Sequence, residues 1–183
     1  MRVIAGIAKG RNLKSPRGRS PIRPTSDLVR GAIFDILHSM QADLSRVLDL
    51  YAGSGALGIE ALSRGADWCD FVEKDARTCA LIRENLQLTG LSDKASVFCL
   101  PVERALTRLH ERYSLVLADP PYADESAGAL LERLAASSLM AADAVILWEH
   151  SQRTSPPPSL GPLDLALTRR HGDTAVSVYR RGE

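Results

Sequence analysis

Asp119-Pro-Pro-Tyr122 places a carboxylate, two conformationally fixed residues and an aromatic ring in consecutive positions. Proline fixes φ and removes an N–H donor, so Pro120 and Pro121 make a stiff turn that presents carbonyl oxygens. Such a turn suits an acceptor role toward an amino group. An exocyclic amine of a nucleobase is a poor nucleophile because its lone pair is delocalised into the ring. If the Asp119 carboxylate and the Pro120 carbonyl each accept one N–H, the nitrogen can rehybridise and aim its lone pair at an electrophilic carbon. A transfer of that kind depends mainly on positioning and needs no strong base. Tyr122 then offers a stacking face for a base that must be unpaired or flipped out. The plainer alternative is a rigid loop with Asp119 as its cap.

Asp49-Leu-Tyr51-Ala52-Gly53-Ser54-Gly55-Ala-Leu-Gly58 holds the other constellation, a GxGxxG pattern between an apolar segment and a helical one. Glycines in such a turn let a ligand approach the backbone and leave the first N–H groups of the helix free for it. Glu73 follows Gly53 by 20 residues and ends the next apolar segment, with Lys74 beside it. A carboxylate there can accept two ribose hydroxyls. A dinucleotide would bring a pyrophosphate, which an acidic turn repels. Asp49, four residues before Gly53, suits the ammonium and sulfonium of S-adenosylmethionine instead. A dinucleotide and a purely structural turn capped by Asp49 remain as alternatives, the dinucleotide lacking a hydride-transfer site. Ser54 is not read as a nucleophile, because GSGAxG is not GxSxG.

These two segments need elements to hold them. Apolar runs at 47–51, 68–73, 95–100, 115–118 and 144–149 read as short strands. Helical patterns at 57–64, 75–89, 102–110 and 125–137 lie between them, the second ending at Gly90. Strands joined by helices of this length imply a parallel sheet covered on both faces, with ligands at the carboxyl ends of its strands. Ahead of them, Thr25 or Ser26 caps a helix running to Met40, and 2–8 pairs with 11–15 as a hairpin around Lys9-Gly10. Four prolines make 151–162 a loop, and 163–168 with 175–180 closes as an antiparallel hairpin around His171-Gly-Asp173.

The chain of 183 residues, 45% hydrophobic and 25% charged, fits one soluble α/β domain. With no apolar run long enough to span a membrane and no signal-peptide pattern at Met1–Lys9, a cytoplasmic location is expected. Cys69, Cys79 and Cys99 are scattered and are read as reduced, mostly buried hydrophobes. No CxxC or Cys/His pair has metal-ligand spacing, so no metal is expected. His38, His110, His150 and His171 are read as surface or loop residues, and Trp68 and Trp148 as packing.

Charge is unevenly spread. Residues 1–30 carry eight basic side chains against Asp27 alone, a net of +7, while the rest carries 15 basic and 21 acidic groups, a net of −6. A basic arm on an acidic body points to a polyanion docking at one end, with Lys9, Arg11, Lys14, Arg17, Arg19, Arg23 and Arg30 as phosphate contacts. The plain alternative is a solvated N-terminus. The chain divides accordingly into a 1–24 extension and a 25–183 domain.

Asp49-x-x-Ala-Gly-Ser-Gly-Ala-Leu-Gly58 together with Asp119-Pro-Pro-Tyr122 resembles the class I amino-methyltransferases. Arg2-Val-Ile-Ala-Gly6, Gly10-Arg-Asn-Leu13 and Arg23-Pro-Thr-Ser-Asp27-x-x-Arg30-x-x-x-Phe34 are similar to the N-terminal signature of the RsmD family. Gly53-Ser-Gly-Ala-Leu-Gly-x-Glu-Ala-Leu-Ser-Arg64 is similar to the same family, whose members are bacterial 16S rRNA guanine-N2 methyltransferases. The resemblance implies a Rossmann-like fold of seven strands with an antiparallel C-terminal hairpin, and S-adenosylmethionine as donor. It also implies a guanine N2 of 16S rRNA in an assembling 30S subunit as acceptor and the basic extension as docking element; a monomer is expected independently of it. Many such enzymes contact the adenine through an Asp or Asn after the fourth strand; this chain reads Phe98-Cys-Leu-Pro-Val-Glu103, so Glu103 or the Val102 backbone substitutes. The tetrapeptide does not choose the base. An adenine-N6 methyltransferase acting on DNA or RNA is the runner-up, though a chain this short leaves no separate target-recognition domain. A non-catalytic RNA-binding assembly factor is the third reading.

Overall fold

In the computed structural model, which describes residues 1–16 and 26–182, the apolar runs pair as strands in one sheet. In chain order the elements are α1 (Asp27–Ser39), β1 (Arg46–Leu50), α2 (Ala56–Ser63), β2 (Trp68–Glu73) and α3 (Ala76–Thr89). Then come β3 (Ala95–Cys99), α4 (Val102–Ala105), β4 (Tyr113–Ala118), α5 (Ala127–Ala135), β5 (Met140–Ser151), β6 (Ser159–Leu160), β7 (Leu163–His171) and β8 (Thr174–Arg180). Strand order is β3-β2-β1-β4-β5-β8-β7-β6, parallel through β5 and antiparallel beyond it. The sheet is therefore mostly parallel with an antiparallel closing hairpin, as expected. Among the described residues it has eight strands rather than seven, because the proline-rich loop contributes the two-residue β6 at the edge of β7.

Alternation along each strand sorts the core into two layers. Val47, Phe71, Leu117 and Leu147 face α1, α2 and α3, while Leu48, Val72, Val116 and Ile146 face α4 and α5. Local chemistry sets the helix ends. The Ser26 hydroxyl accepts the Val29 N–H at 3.2 Å, and Asp75 caps α3 through the Thr78 N–H at 2.8 Å. Gly90 takes a left-handed φ of 72° as the C-cap of α3.

Four elements depart from the expected limits. α4 stops at Ala105 because the following turn tightens, with the Thr107 and Arg108 N–H groups bonding three residues back. α5 starts at Ala127 because the Asp124 carboxylate has already taken the Ser126 N–H, at 3.0 Å. β5 runs for 12 residues, since β4 and β8 pair with it on either side. The N-terminal hairpin shrinks to one bridge, Arg2 to Asn12. Three backbone bonds still cross it: the Val3 N–H to the Arg11 carbonyl at 3.0 Å, the Gly10 N–H to the Val3 carbonyl at 2.9 Å and the Leu13 N–H to the Met1 carbonyl at 2.9 Å. The Ile4 and Ala5 N–H groups donate instead to the Glu60 carboxylate of α2 at 2.8 and 3.0 Å, and the Ala8 N–H to the Ser63 hydroxyl at 3.0 Å.

His150 is also corrected: it is a buried β5 residue, 3% exposed, whose Nε2 meets the Ser177 hydroxyl at 2.8 Å. Its ring packs on Trp148, a core residue, with centroids 5.0 Å apart. Burial holds the His150 pKa below its ordinary 6.5, only partly offset by the Ser151 carbonyl. The unfolded chain therefore binds the proton more readily, so stability is full above pH 6.5 and falls as pH drops from there toward the depressed folded value. His150→Gln should flatten that limb of a thermal-melt series against pH. An unchanged limb would assign the dependence to another group.

Cys69 and Cys79 are buried and Cys99 is exposed, all as free thiols. Among the described residues, no helix is long and apolar enough to cross a membrane, and no cluster of His, Cys, Asp and Glu could hold a metal ion.

Candidate active site

β1, β2 and β4 are parallel neighbours, so their carboxyl ends open along one edge of the sheet. Asp49 of β1 stands opposite Phe71 of β2 and Leu117 of β4. Glu73 and Asp119 lie two positions beyond those partners and therefore share the face of Asp49. Three carboxylates from three strands converge at one place. Burial pushes the Asp49 carboxyl well above its ordinary range; the Gly58 N–H opposes this, and the charges of Asp119 and Glu73 push it further up. A site of that sign favours a cation and disfavours a pyrophosphate.

The glycine turn is built against these acids. Tyr51 leaves β1 with a φ of 57°, a backbone state uncommon for a residue with a side chain. Burial, then the charges of Asp124 and Glu103, raise its phenol pKa. The Ala52 N–H donates to the Val72 carbonyl at 3.0 Å. The Gly53 N–H donates to Glu73 Oε2 at 3.0 Å, and the Asp75 N–H to Glu73 Oε1 at 2.9 Å. Glu73 thus holds the turn and keeps further lone pairs for ribose hydroxyls. Asp49 Oδ2 accepts the Gly58 N–H at 2.9 Å, so its capping role and its electrostatic role coexist.

Gly58 is needed for packing. A β-carbon there would lie 2.3 Å from Phe71 Cε1 and 2.7 Å from Cys69 Sγ, so α2 rests directly on β2. A β-carbon at Gly53 would meet only the Tyr51 carbonyl at 3.9 Å, so the space over the turn is open. An open, acidic, backbone-lined recess fits a cationic nucleoside.

Beside it, Asp119 is half-buried, Pro120 is buried, and Pro121 and Tyr122 are exposed. The Asp119 N–H points to the Leu50 carbonyl at 3.5 Å, which ties the tetrapeptide to β1. Tyr122 is 48% exposed, and its hydroxyl hydrogen-bonds the Thr174 hydroxyl at the start of β8. The ring is thus held at its hydroxyl while the residue stays partly exposed. At the start of α4, three residues past β3, Val102 is buried and Glu103 is exposed within electrostatic reach of Tyr51. Lys74 is exposed at the end of β2.

Of the basic residues, Lys9, Arg11 and Lys14 are exposed. The Arg11 guanidinium donates to the Leu88 carbonyl at 3.0 Å, and the Lys14 ammonium pairs with Glu84, both on α3. Arg17, Arg19 and Arg23 lie outside the described residues. Arg30 is corrected: it is fully buried, with Nη2 on Asp27 at 2.9 Å and Nε 3.6 Å from Glu60, so no phosphate can reach it. Together with Arg64, whose Nε donates to Glu60 Oε1 at 2.8 Å, it neutralises Glu60, the carboxylate that receives the N-terminal backbone, and a buried carboxylate needs such partners.

Glu60, Ser63, Asn85 and Thr174 were not among the expected site residues. Glu60 and Asn85 carried a legible signal, since each is a polar residue on the apolar stripe of its helix.

A donor that is itself cationic suits this acidic recess, and the chain is an S-adenosylmethionine-dependent methyltransferase. Residues 1–180 match the family model described as conserved hypothetical protein 95, and the chain belongs to that family, the RsmD family. It is similar to YlbH of Bacillus subtilis, 39% identical over 186 residues with 99% of each chain covered. It is also similar to ribosomal RNA small subunit methyltransferase D of Escherichia coli K12, 30% identical over 99% of this chain and 90% of that one. A solved structure of a hypothetical protein from Thermus thermophilus is 34% identical, with a TM-score of 0.84, over 98% of this chain and 99% of that chain.

Proposed function

We propose that this enzyme methylates the exocyclic N2 of a guanine in 16S ribosomal RNA, within a 30S subunit or an assembly intermediate. The observation that carries the reading is the position of Asp119-Pro-Pro-Tyr122, at the carboxyl end of β4 and sharing an edge with the acidic turn of β1. The similarity to a relative named for the small ribosomal subunit supports the choice of RNA.

Asp49, the turn from Tyr51 to Gly58, Glu73 and the Val102–Glu103 pair would hold S-adenosylmethionine, which supplies an electrophilic methyl group when bound. The remaining work belongs to the chain's own residues. Tyr122 stacks on the extruded guanine, and the Asp119 carboxylate and Pro120 carbonyl each accept one N–H of the amine. That pairing turns the nitrogen lone pair out of conjugation with the ring and fixes its direction. As the amine gains positive character, its proton passes along the existing hydrogen bond to Asp119. The 1–24 extension docks the RNA, and 25–183 is the catalytic domain.

Labelled methyl transfer to unmodified 30S subunits, naked 16S rRNA and duplex DNA, followed by nucleoside analysis, tests the reading. N2-methylguanosine from the ribosomal substrate supports it, and methyladenine from DNA moves the acceptor to the runner-up class. Absence of transfer to every substrate supports a non-catalytic binding factor. Charge reversals at Arg11, Lys14, Arg17, Arg19 and Arg23 should weaken RNA binding and lower the slope of log K against log salt by about one for each phosphate no longer neutralised. An unchanged slope removes the docking role of the extension.

A further inference from the structure

Asn85 of α3 is wholly buried, and its amide makes three hydrogen bonds that join two parts of the molecule. Oδ1 accepts the Lys14 N–H at 2.8 Å. Nδ2 donates to the Lys14 carbonyl at 3.0 Å and to the Ser54 carbonyl at 2.9 Å. Lys14 is therefore gripped by both of its backbone groups, as a neighbouring strand would grip it. The third bond lands inside the glycine turn, one residue from Gly53, whose N–H is held by Glu73. A continuous path runs from Lys14 through Asn85, Ser54 and Gly53 to Glu73. The outer surface of α3 adds two more anchors for the same arm, Glu84 for the Lys14 ammonium and the Leu88 carbonyl for Arg11.

We infer that Asn85 is a positioning residue that couples the basic arm to the cofactor turn, so that RNA docking and cofactor binding strengthen each other. The inference rests on the arm being the RNA-docking element. Asn85 itself is buried, so losing a bond to Lys14 or Ser54 leaves a desolvated amide group, and the arm and the turn are constrained together. Phosphates that fix Arg11 and Lys14 restrict Asn85 and leave less disorder in the turn for the cofactor to remove. Linkage makes the effect reciprocal and equal in both directions.

The test is the Kd of labelled S-adenosylhomocysteine, measured with and without saturating unmodified 30S subunits, on the full chain. In the wild type the subunits should tighten it about fivefold to tenfold. Lys14→Ala removes the side chain and keeps the backbone N–H, so RNA binds more weakly but coupling persists through Arg11 and the intact bonds to Asn85. Lys14→Pro removes the N–H that Asn85 accepts, and the factor should fall to within about twofold of unity. Asn85→Asp keeps an acceptor for Lys14 but sets a carboxylate against two carbonyls, and it should abolish coupling too. Should that buried variant fail to fold, Lys14→Pro, at an exposed arm position, still decides the matter. Equal coupling in Lys14→Pro and Lys14→Ala overturns the inference, as does a wild type that binds both ligands independently. Failure of the 30S subunit to bind at all is a separate result, which overturns the docking role and this coupling with it.

Discussion

Asp119→Ala will cost at least about a hundredfold in kcat while the Kd for S-adenosylhomocysteine stays within a few-fold of wild type. The expectation follows from where Asp119 sits. Its N–H is tied to the Leu50 carbonyl, a backbone contact that alanine keeps. Pro120 and Pro121 continue to fix the turn. What alanine removes is the acceptor that turns the amine lone pair toward the donor, a contribution made only in the transition state. Asp119 also adds to the negative field around Asp49, so its loss should ease the proton off Asp49 and change cofactor affinity only modestly. Asp119→Asn keeps an acceptor oxygen without the charge and should fall between wild type and alanine. Parallel loss of cofactor binding and turnover in the alanine variant would show that Asp119 holds the turn rather than the substrate.

Gly58→Ala should be the most damaging single-methyl change in the cofactor turn. Its β-carbon would come within 2.3 Å of the Phe71 ring and 2.7 Å of the Cys69 sulfur, both in the rigid centre of β2. Either α2 rises off the sheet or Phe71 leaves its position, and overpacking of this kind costs about 1–3 kcal/mol. For a chain of this size, that lowers Tm by roughly 2–4 °C per kcal/mol. The same lift draws the Gly58 N–H away from Asp49, which then sits buried with less to offset its desolvation. Cofactor affinity should therefore fall along with stability. Gly53→Ala gives the contrast: its β-carbon has open space, so its main cost is the left-handed φ of 55°. If Gly58→Ala melts like wild type, α2 is not seated directly on β2.

The central strands were readable before any coordinate because a parallel sheet buries both faces. Each strand then appears as a mostly apolar run, and the expected Trp68–Glu73 matches β2 to the residue although Asp70 interrupts it. Helix ends were readable where a side chain or a glycine does the capping, as at Ser26 and Gly90. Boundaries failed where pairing partners or local turns decide them, as at Met140, Ala105 and Ala127. A two-residue strand among prolines leaves no pattern at all.

The glycine turn and the acidic tetrapeptide follow from the order of residues alone, because both are local and both sit directly after a strand. Their chemistry is carried by consecutive or nearly consecutive side chains. Which charges face solvent is a different kind of fact. Arg30 counted as part of a basic arm, yet it lies on the apolar stripe with Ile33, Phe34 and Leu37 and is buried against Glu60. His150 counted as a surface or loop residue, yet it is buried within β5 and its ring bonds Ser177 of the neighbouring β8. Asn85 touches Lys14 and Ser54 across 71 and 31 residues of chain. Contacts over such separations depend on how α2 and α3 lie on the sheet and on where the N-terminal segment crosses them. The sequence determined the strands, the turn and the reactive tetrapeptide, because these are set by neighbours along the chain. Only the tertiary structure decided which polar residues became buried ties, because burial depends on packing between distant elements.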